Sequence, residues 1–267
     1  MEQLVLSRKY IYRKYEIKGS GTEADFFHLN KTTGLKLFRN EDKVQKTLPN
    51  KLKKIERTAG IEEPCIKYPK TPVFDDNGNL LGYTLTIALT AEYIRSFRDL
   101  SKPCVSLAQK IAFYKKLEHL VKLVHSKSMI LVDTNPDNFL IDLYKNVVLI
   151  DTDNYMHSDC PCDNIPDYPA KYYVRKTGDQ SFTYVDEFSL AIRFLEIAVD
   201  GFRRQMLEHL VLGRQFYVDV VVESLDIPIE LKSVLLATIS AKGKKEFIGP
   251  YLDCIADPNK RYIRINN

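Results

Sequence analysis

No apolar run in this chain approaches the length of a membrane span, and the opening Met1-Glu-Gln-Leu-Val-Leu lacks the basic stretch and long apolar segment of a secretory leader. Internal repeats and low-complexity tracts are absent too, so ordinary globular packing is expected. Charge of one sign is not in large excess. The 39 Lys and Arg against 35 Asp and Glu leave a formal +4, too little to mark the whole molecule for nucleic acid or a membrane surface. An even set of cysteines is missing as well: there are five, which suits a reducing compartment. His157, Cys160 and Cys162 lack the paired C-x2–4-C spacing and the fourth ligand of a structural zinc site, so loop thiols are expected there. A cytoplasmic protein with no nucleic-acid and no membrane partner follows as the expectation.

What is present is a chain of 267 residues, 45% hydrophobic, able to bury a large core as one bilobed domain or two modest ones. Its first sixty residues carry fourteen Lys or Arg against seven Asp or Glu, a balance that fits a nucleotide-binding lobe or a solvated lysine-rich helix face equally well. Lys14 to Asn30 reads as two strands joined by a turn containing Gly19, Ser20 and Gly21, where backbone N–H groups can approach phosphates without a Cβ in the way; an ordinary hairpin is the competing reading. Residues 31–38 read as a turn and a third strand. On it Lys36 faces opposite to Leu35 and Leu37.

A helix is expected from Pro49 or Asn50 to Ala59, stopping at Gly60, with Leu52, Ile55 and Glu56 on one face. Glu41 falls too early to belong to it. Asn77-Gly78 between two strand-like runs predicts a hairpin, whose second strand leads through Ile87-Ala88-Leu89 out of the N-terminal half. Residues 106–125 carry apolar positions at Leu107, Ile111, Tyr114, Leu117, Val121 and Val124, the stripe of a long amphipathic helix. His125 at its end reads as a packing or capping residue.

Next comes Ile130-Leu-Val-Asp133-Thr-Asn-Pro-Asp-Asn138, followed by the short apolar run Val147-Val-Leu-Ile150 that ends on Asp151. An Asp in a loop can orient a hydroxyl and accept its proton, while an Asn and a second Asp offer oxygen ligands to Mg²⁺. A plain turn built from Asn, Asp and Pro is the alternative for this string alone.

The order of these pieces resembles the eukaryotic-type protein kinase superfamily, with its H-R-D-x-x-x-x-N catalytic loop and D-F-G strand end. Here the counterparts are Leu131-Val132-Asp133 with Asn138, and Asp151-Thr152-Asp153. Later landmarks agree in order: Asp186-Glu-Phe-Ser189-Leu190 resembles the family's central helix, and Asp257-Pro-Asn-Lys-Arg261 its terminal D-P-x-x-R. The resemblance implies an α+β, bilobed protein-kinase-like fold over residues 1–267. It would have a small antiparallel N-lobe sheet with one helix, to about residue 88, and a mainly helical C-lobe from about 89. ATP and Mg²⁺ are the implied cofactors, with nucleotide between the lobes.

The implied roles are Asp133 as base, Asn138 and Asp151 as metal ligands, and Lys36 on the α- and β-phosphates with Glu56 as its partner. Gly19, Ser20 and Gly21 would cover the phosphates, and the backbone at Ile87 and Leu89 would take adenine. Asp186 would anchor the catalytic loop. The substitutions also carry expectations. Val132 stands where an Arg usually reads an activation-segment phosphate, Asn135 where a Lys often stands, and Asp153 in place of Gly; Lys171 or Arg175 can supply the missing cation. Ala170-Lys171-Tyr172 replaces A-P-E, which leaves Arg261 exposed or in need of another partner. A kinase acting on protein Ser or Thr hydroxyls is the leading reading, beside a small-molecule kinase and a nucleotide-binding pseudokinase.

Overall fold

The computed structural model describes residues 3–21, 23–90, 93–162, 165, 168–211, 217–240, 243 and 245–265. It is α+β and divides into two compact units: residues 1–89 with 148–163, and residues 90–147 with 164–267. The first division falls after Leu89, and the stretch that holds Asp151 belongs with the N-terminal unit.

In the first unit, β1 (Leu4–Val5), β2 (Ile17–Ser20), β3 (Ala24–His28), β4 (Thr33–Phe38), β5 (Pro72–Phe74) and β6 (Leu80–Thr86) form one sheet in the order β1-β5-β6-β4-β3-β2. The expected purely antiparallel sheet is corrected: β1 runs parallel to β5, pairing Leu4 with Val73. The expected single helix is corrected too, because Ser7 caps α1 (Arg8–Lys14) by accepting from the Tyr10 N–H. α1 is docked by the Arg8 guanidinium on the Phe38 carbonyl, by Tyr12 on Phe27 and Asp25, and by one buried apolar residue, Ile11. It is fully buried against Phe27, Leu35, Leu37, Val73 and Leu81, a burial worth about 1.5–3 kcal/mol.

The second helix, α2, runs Glu41–Ala59 rather than starting at Pro49. Pro49 forfeits one backbone bond there, yet Val44, Leu48, Leu52 and Ile55 continue a single apolar stripe past it onto Phe38, Leu80, Tyr83 and Leu85. The stripe, not the proline, sets the helix start. Between β5 and β6, Asp75 accepts from the N–H groups of Asn77 and Asn79, and Gly78 takes φ 80°, as the Asn-Gly signal predicts. β9 (Val147–Leu149) enters this unit at Val148, where Leu149 bonds to the backbone of Cys65 and Lys67. β10 (Met156–His157) follows.

The second unit is mainly helical. Ser106 and Gln109 form a capping box on α3 (Leu107–Ser126), which is followed by β7 (Met129–Ile130) and β8 (Phe139–Ile141). Then come α4 (Ala170–Thr177), α5 (Val185–Ala198), α6 (Phe202–Val211), α7 (Val218–Glu223) and α8 (Ile229–Ile239). α5 is buried along nearly its whole length, which makes it the core of the unit. Tyr114 of α3 and Tyr173 of α4 meet it edge-on at Phe194 and Phe188. An extended C-terminal stretch straps the unit: Leu107 N–H donates to Lys260, Ile263 to Ala198, and Asp226 to Arg264. No helix among the described residues is long and apolar enough to cross a membrane.

Candidate functional site

Strand alternation buries Leu35 and Leu37 on the α1 face of the sheet and turns Lys36 to the α2 face, opposite Phe26 and Tyr83 on the neighbouring strands. The close approach of β6 to this point depends on Gly82. A Cβ there would meet the Lys36 carbonyl oxygen at 2.0 Å.

Lys36 is ion-paired to Asp151 and, at 2.7 Å, to Asp153. Asp153 also accepts from the Tyr83 hydroxyl at 2.7 Å and stands 3.8 Å from Lys51 of α2. Asp151 adopts a left-handed backbone, φ 61°, ψ 40°, and opens the tight turn Thr152–Asn154. Aspartate tolerates that region better than most residues. Buried Thr152 pins the turn by donating to the Lys67 carbonyl.

Burial alone pushes the Lys36 amine down, but Asp153, Tyr83 and Asp151 outweigh it and hold the amine well above its usual range. Burial likewise pushes Asp153 up, and Lys36, Lys51 and the Tyr83 hydrogen bond more than offset this, so its carboxyl lies below the usual range. For Asp151, burial dominates over the pull of Lys36, and its carboxyl is raised. Asp153 is thus a fixed anion, 7% exposed, while Asp151 is the open member at 41%.

Glu56 is corrected as the partner of Lys36. Each helical residue turns about 100°, so the position after buried Ile55 carries Glu56 to the exposed side of α2, while Lys51 and Lys54 take the inner side. The Asp at position 153 does the task assigned to the helix. The hairpin tip is also built differently from a bare glycine loop. Gly19 lies in β2, Ser20 donates to Asp25 at 2.6 Å, and Arg39 and Tyr12 bind the same carboxylate. The hydrogen bonds from Arg39 and then Ser20 outweigh burial and hold Asp25 well below the usual carboxylate range. Neither Gly19 nor Gly21 has a left-handed φ, and a Cβ at either would meet only ordinary contacts. Ile87 and Leu89 lie past β6, Ile87 half-buried with its N–H on Thr32 and Leu89 60% exposed.

In the second unit, the loop from Leu131 to Asn138 is gripped from α5. Asp186 accepts from the N–H groups of Leu131 at 2.7 Å and Val132 at 2.9 Å, and it takes a third contact from His125 Nε2 at 2.8 Å. Val132 sits at φ 61° inside a tight turn closed by Asp133 N–H on the Leu131 carbonyl. A β-branched residue is strained there, and the two bonds to Asp186 hold it in place. The next residues are held from the same helix: Arg193, 4% exposed, donates to the Thr134 carbonyl at 2.8 Å and pairs with Glu196 at 2.6 Å. Asp133 is half-buried, and one of its oxygens accepts from Asn135 N–H. Asn138 is half-buried, and among the described residues its carboxamide makes no hydrogen bond.

No family model and no curated protein matches the chain.

The structure brings Lys36 and Asp151 together in the first unit and sets Asp133 and Asn138 in one loop of the second. Asp186 anchors the loop as expected, and His125, expected as a packing or capping residue, is also a hydrogen-bond partner of Asp186. Arg261 is exposed, its guanidinium on the Pro258 carbonyl. Ala170-Lys171-Tyr172 forms the first turn of α4. Part of the expected activation segment, Pro166 and Asp167 included, lies outside the described residues. The five cysteines form no disulfide. Arg193 went unnoticed in the sequence; its signal is a lone cation in the middle of an apolar helix.

Proposed function

We propose that the chain is a Mg²⁺-dependent, ATP-using phosphotransferase of protein-kinase-like fold that moves the γ-phosphoryl group to a protein hydroxyl. The observation that carries this reading is the ion pair of Lys36 with Asp151, residues 115 apart in sequence that the motif order singles out together. The grip of Asp186 on Leu131 and Val132 supports it from the other unit.

Asp151 and Asn138, in different units, each carry the donor chemistry the ion takes. Magnesium is held by one or two carboxylate or amide oxygens together with phosphates and water. Asp151 binds Lys36 through one oxygen and is 41% exposed, and the Asn138 carboxamide makes no hydrogen bond among the described residues. Asp153 does not fit, being spent on Lys36 and Tyr83. When bound, the ion supplies neutralisation of the phosphate charge.

The protein's own groups supply positioning. Asp133 orients the acceptor hydroxyl and takes its proton, on a loop kept rigid by Asp186 and Arg193. Lys36, kept cationic by Asp153, attracts the phosphates. Catalysis of this kind is mostly orientation and electrostatics.

Calorimetric titration with ATP tests the reading. Wild type should bind more tightly with Mg²⁺ than without, Asp151→Asn should lose that gain, and Lys36→Met should weaken binding in both conditions. Binding indifferent to the ion and to both substitutions overturns it.

A further inference from the structure

One cavity involves none of the residues proposed to bind nucleotide, hold the ion or take the acceptor's proton. It lies in the second unit, at the C-terminal end of α5, and measures about 710 Å³. The loop 131–138 is held by Asp186 at the other end of the same helix and by Arg193, whose guanidinium also pairs with Glu196 at the cavity wall. A space of this size is in the range that takes small organic ligands.

Val199, Leu207 and the ring of Tyr262 give the cavity apolar walls, and Arg203 and Arg204 of α6 stand at it. Three carboxylates line it as well: Glu196, Asp200 and Glu208. One of them is already answered: Glu196 is bound by the buried Arg193. Asp200 helps the fully buried Lys110 to retain its proton but makes no ion pair among the described residues. Lys110 is fixed behind the wall, with Nζ 3.6 Å from the Tyr262 ring centroid and a bond to the Arg261 carbonyl. Tyr262 is fixed in turn by donating to the Ser101 carbonyl at 2.6 Å. Arg203 and Arg204 make no ion pair among the described residues, so neither guanidinium is committed to Asp200 or Glu208 of the same wall.

We propose that this cavity is a binding site for a small organic anion, a carboxylate or phosphate monoester with a compact apolar body. The arginines take the charged head and the wall of Val199, Leu207 and Tyr262 takes the body. A guanidinium matches planar or tetrahedral oxyanions by paired N–H donors, while the apolar wall adds affinity for the remainder and none for a bare inorganic ion.

The probe pair 4-phenylbutyrate and its neutral counterpart 4-phenylbutanol tests the proposal by titration calorimetry on the full chain. One phenylbutyrate should bind per chain, and phenylbutanol at least about tenfold more weakly. Arg203→Gln with Arg204→Gln should cost about tenfold or more for the acid and leave the alcohol unchanged. Both arginines are at the surface, and an unchanged circular dichroism melt establishes that the variant is folded. Leu207→Glu, which puts a carboxylate in the apolar wall, should abolish binding of the acid. Absence of saturable phenylbutyrate binding to wild type, equal affinity for acid and alcohol, or indifference to the arginine changes overturns the proposal. None of these readouts depends on phosphotransfer.

Discussion

Replacing Asp153 by Asn removes one charge from the ion-pair cluster and little else. The side chain is 7% exposed and serves Lys36 at 2.7 Å, Tyr83 at 2.7 Å and Lys51 at 3.8 Å. An Asn of the same shape keeps a hydrogen bond to Tyr83 but leaves two largely buried ammonium groups short of a counter-ion. Breaking a buried pair from one side costs about 3–5 kcal/mol. Asp151 remains on Lys36, so the lower end is expected, about 3 kcal/mol. For a chain of this size that lowers the melting midpoint by roughly 6–12 °C.

Because the carboxyl lies below its usual range when folded, its stabilisation is complete above the unfolded value near 3.9 and is lost as pH falls through the folded value. The gap between wild type and Asp153→Asn should therefore be constant near neutrality and shrink below about pH 4. Glu56→Gln is the matched comparison on the exposed side of α2, with an expected change within about 0.5 kcal/mol. Urea denaturation of the three proteins across pH measures all of this. If Glu56→Gln cost as much as Asp153→Asn, the assignment of Lys36's partner would be refuted.

Asp186→Asn should leave one of the Leu131 and Val132 amides without an acceptor, at a cost of about 1–3 kcal/mol by denaturation, and should abolish phosphotransfer. Burial lowers His125, but Asp186 and Glu187 raise it above the ordinary value near 6.5. Its stabilising contribution is therefore full below that value and lost as pH rises through the folded one, and an NMR titration should show its pKa fall in Asp186→Asn. Gly82→Ala, with a Cβ 2.0 Å from the Lys36 carbonyl, should cost about 3 kcal/mol or more by denaturation. Gly60→Ala, with nothing within 4 Å, should be tolerated. Burial pushes Lys110 down to about 8. The unfolded chain then holds this proton at pH values where the folded one does not, so melts from about pH 8 to 10 should gain stability relative to Lys110→Met.

Much of the architecture could be read from local chemistry. Leu35-Lys36-Leu37 fixed which side of the sheet Lys36 faces, Asn77-Gly78 marked a hairpin, and the apolar stripe Leu107, Ile111, Tyr114, Leu117 marked α3. The parts that were not legible are those decided by distant packing. Pro49 suggested a helix start because its local penalty is visible, whereas the stripe Val44, Leu48, Leu52 that outweighs it has meaning only against Phe38 and Tyr83. Leu4-Val5 is too short to signal a strand, and α1 buries a single residue, Ile11. In the candidate site, spacing picked out Lys36, Asp133, Asn138 and Asp151, but Lys36 is paired through a turn rather than through α2. Only the helical phase relative to the core tells Glu56 from Lys51. Arg193 was hidden for the same reason, since its acceptor is a backbone carbonyl that no side-chain pattern reveals.

Incubation of the protein with Mg²⁺ and ATP labelled at either the γ- or the α-phosphate, beside Asp133→Asn, tests the central claim most directly. The account predicts γ-label on protein with wild type, none with Asp133→Asn despite retained ATP binding, and no α-label in either. Transfer by Asp133→Asn at the wild-type rate, or transfer of the α-label, would contradict it.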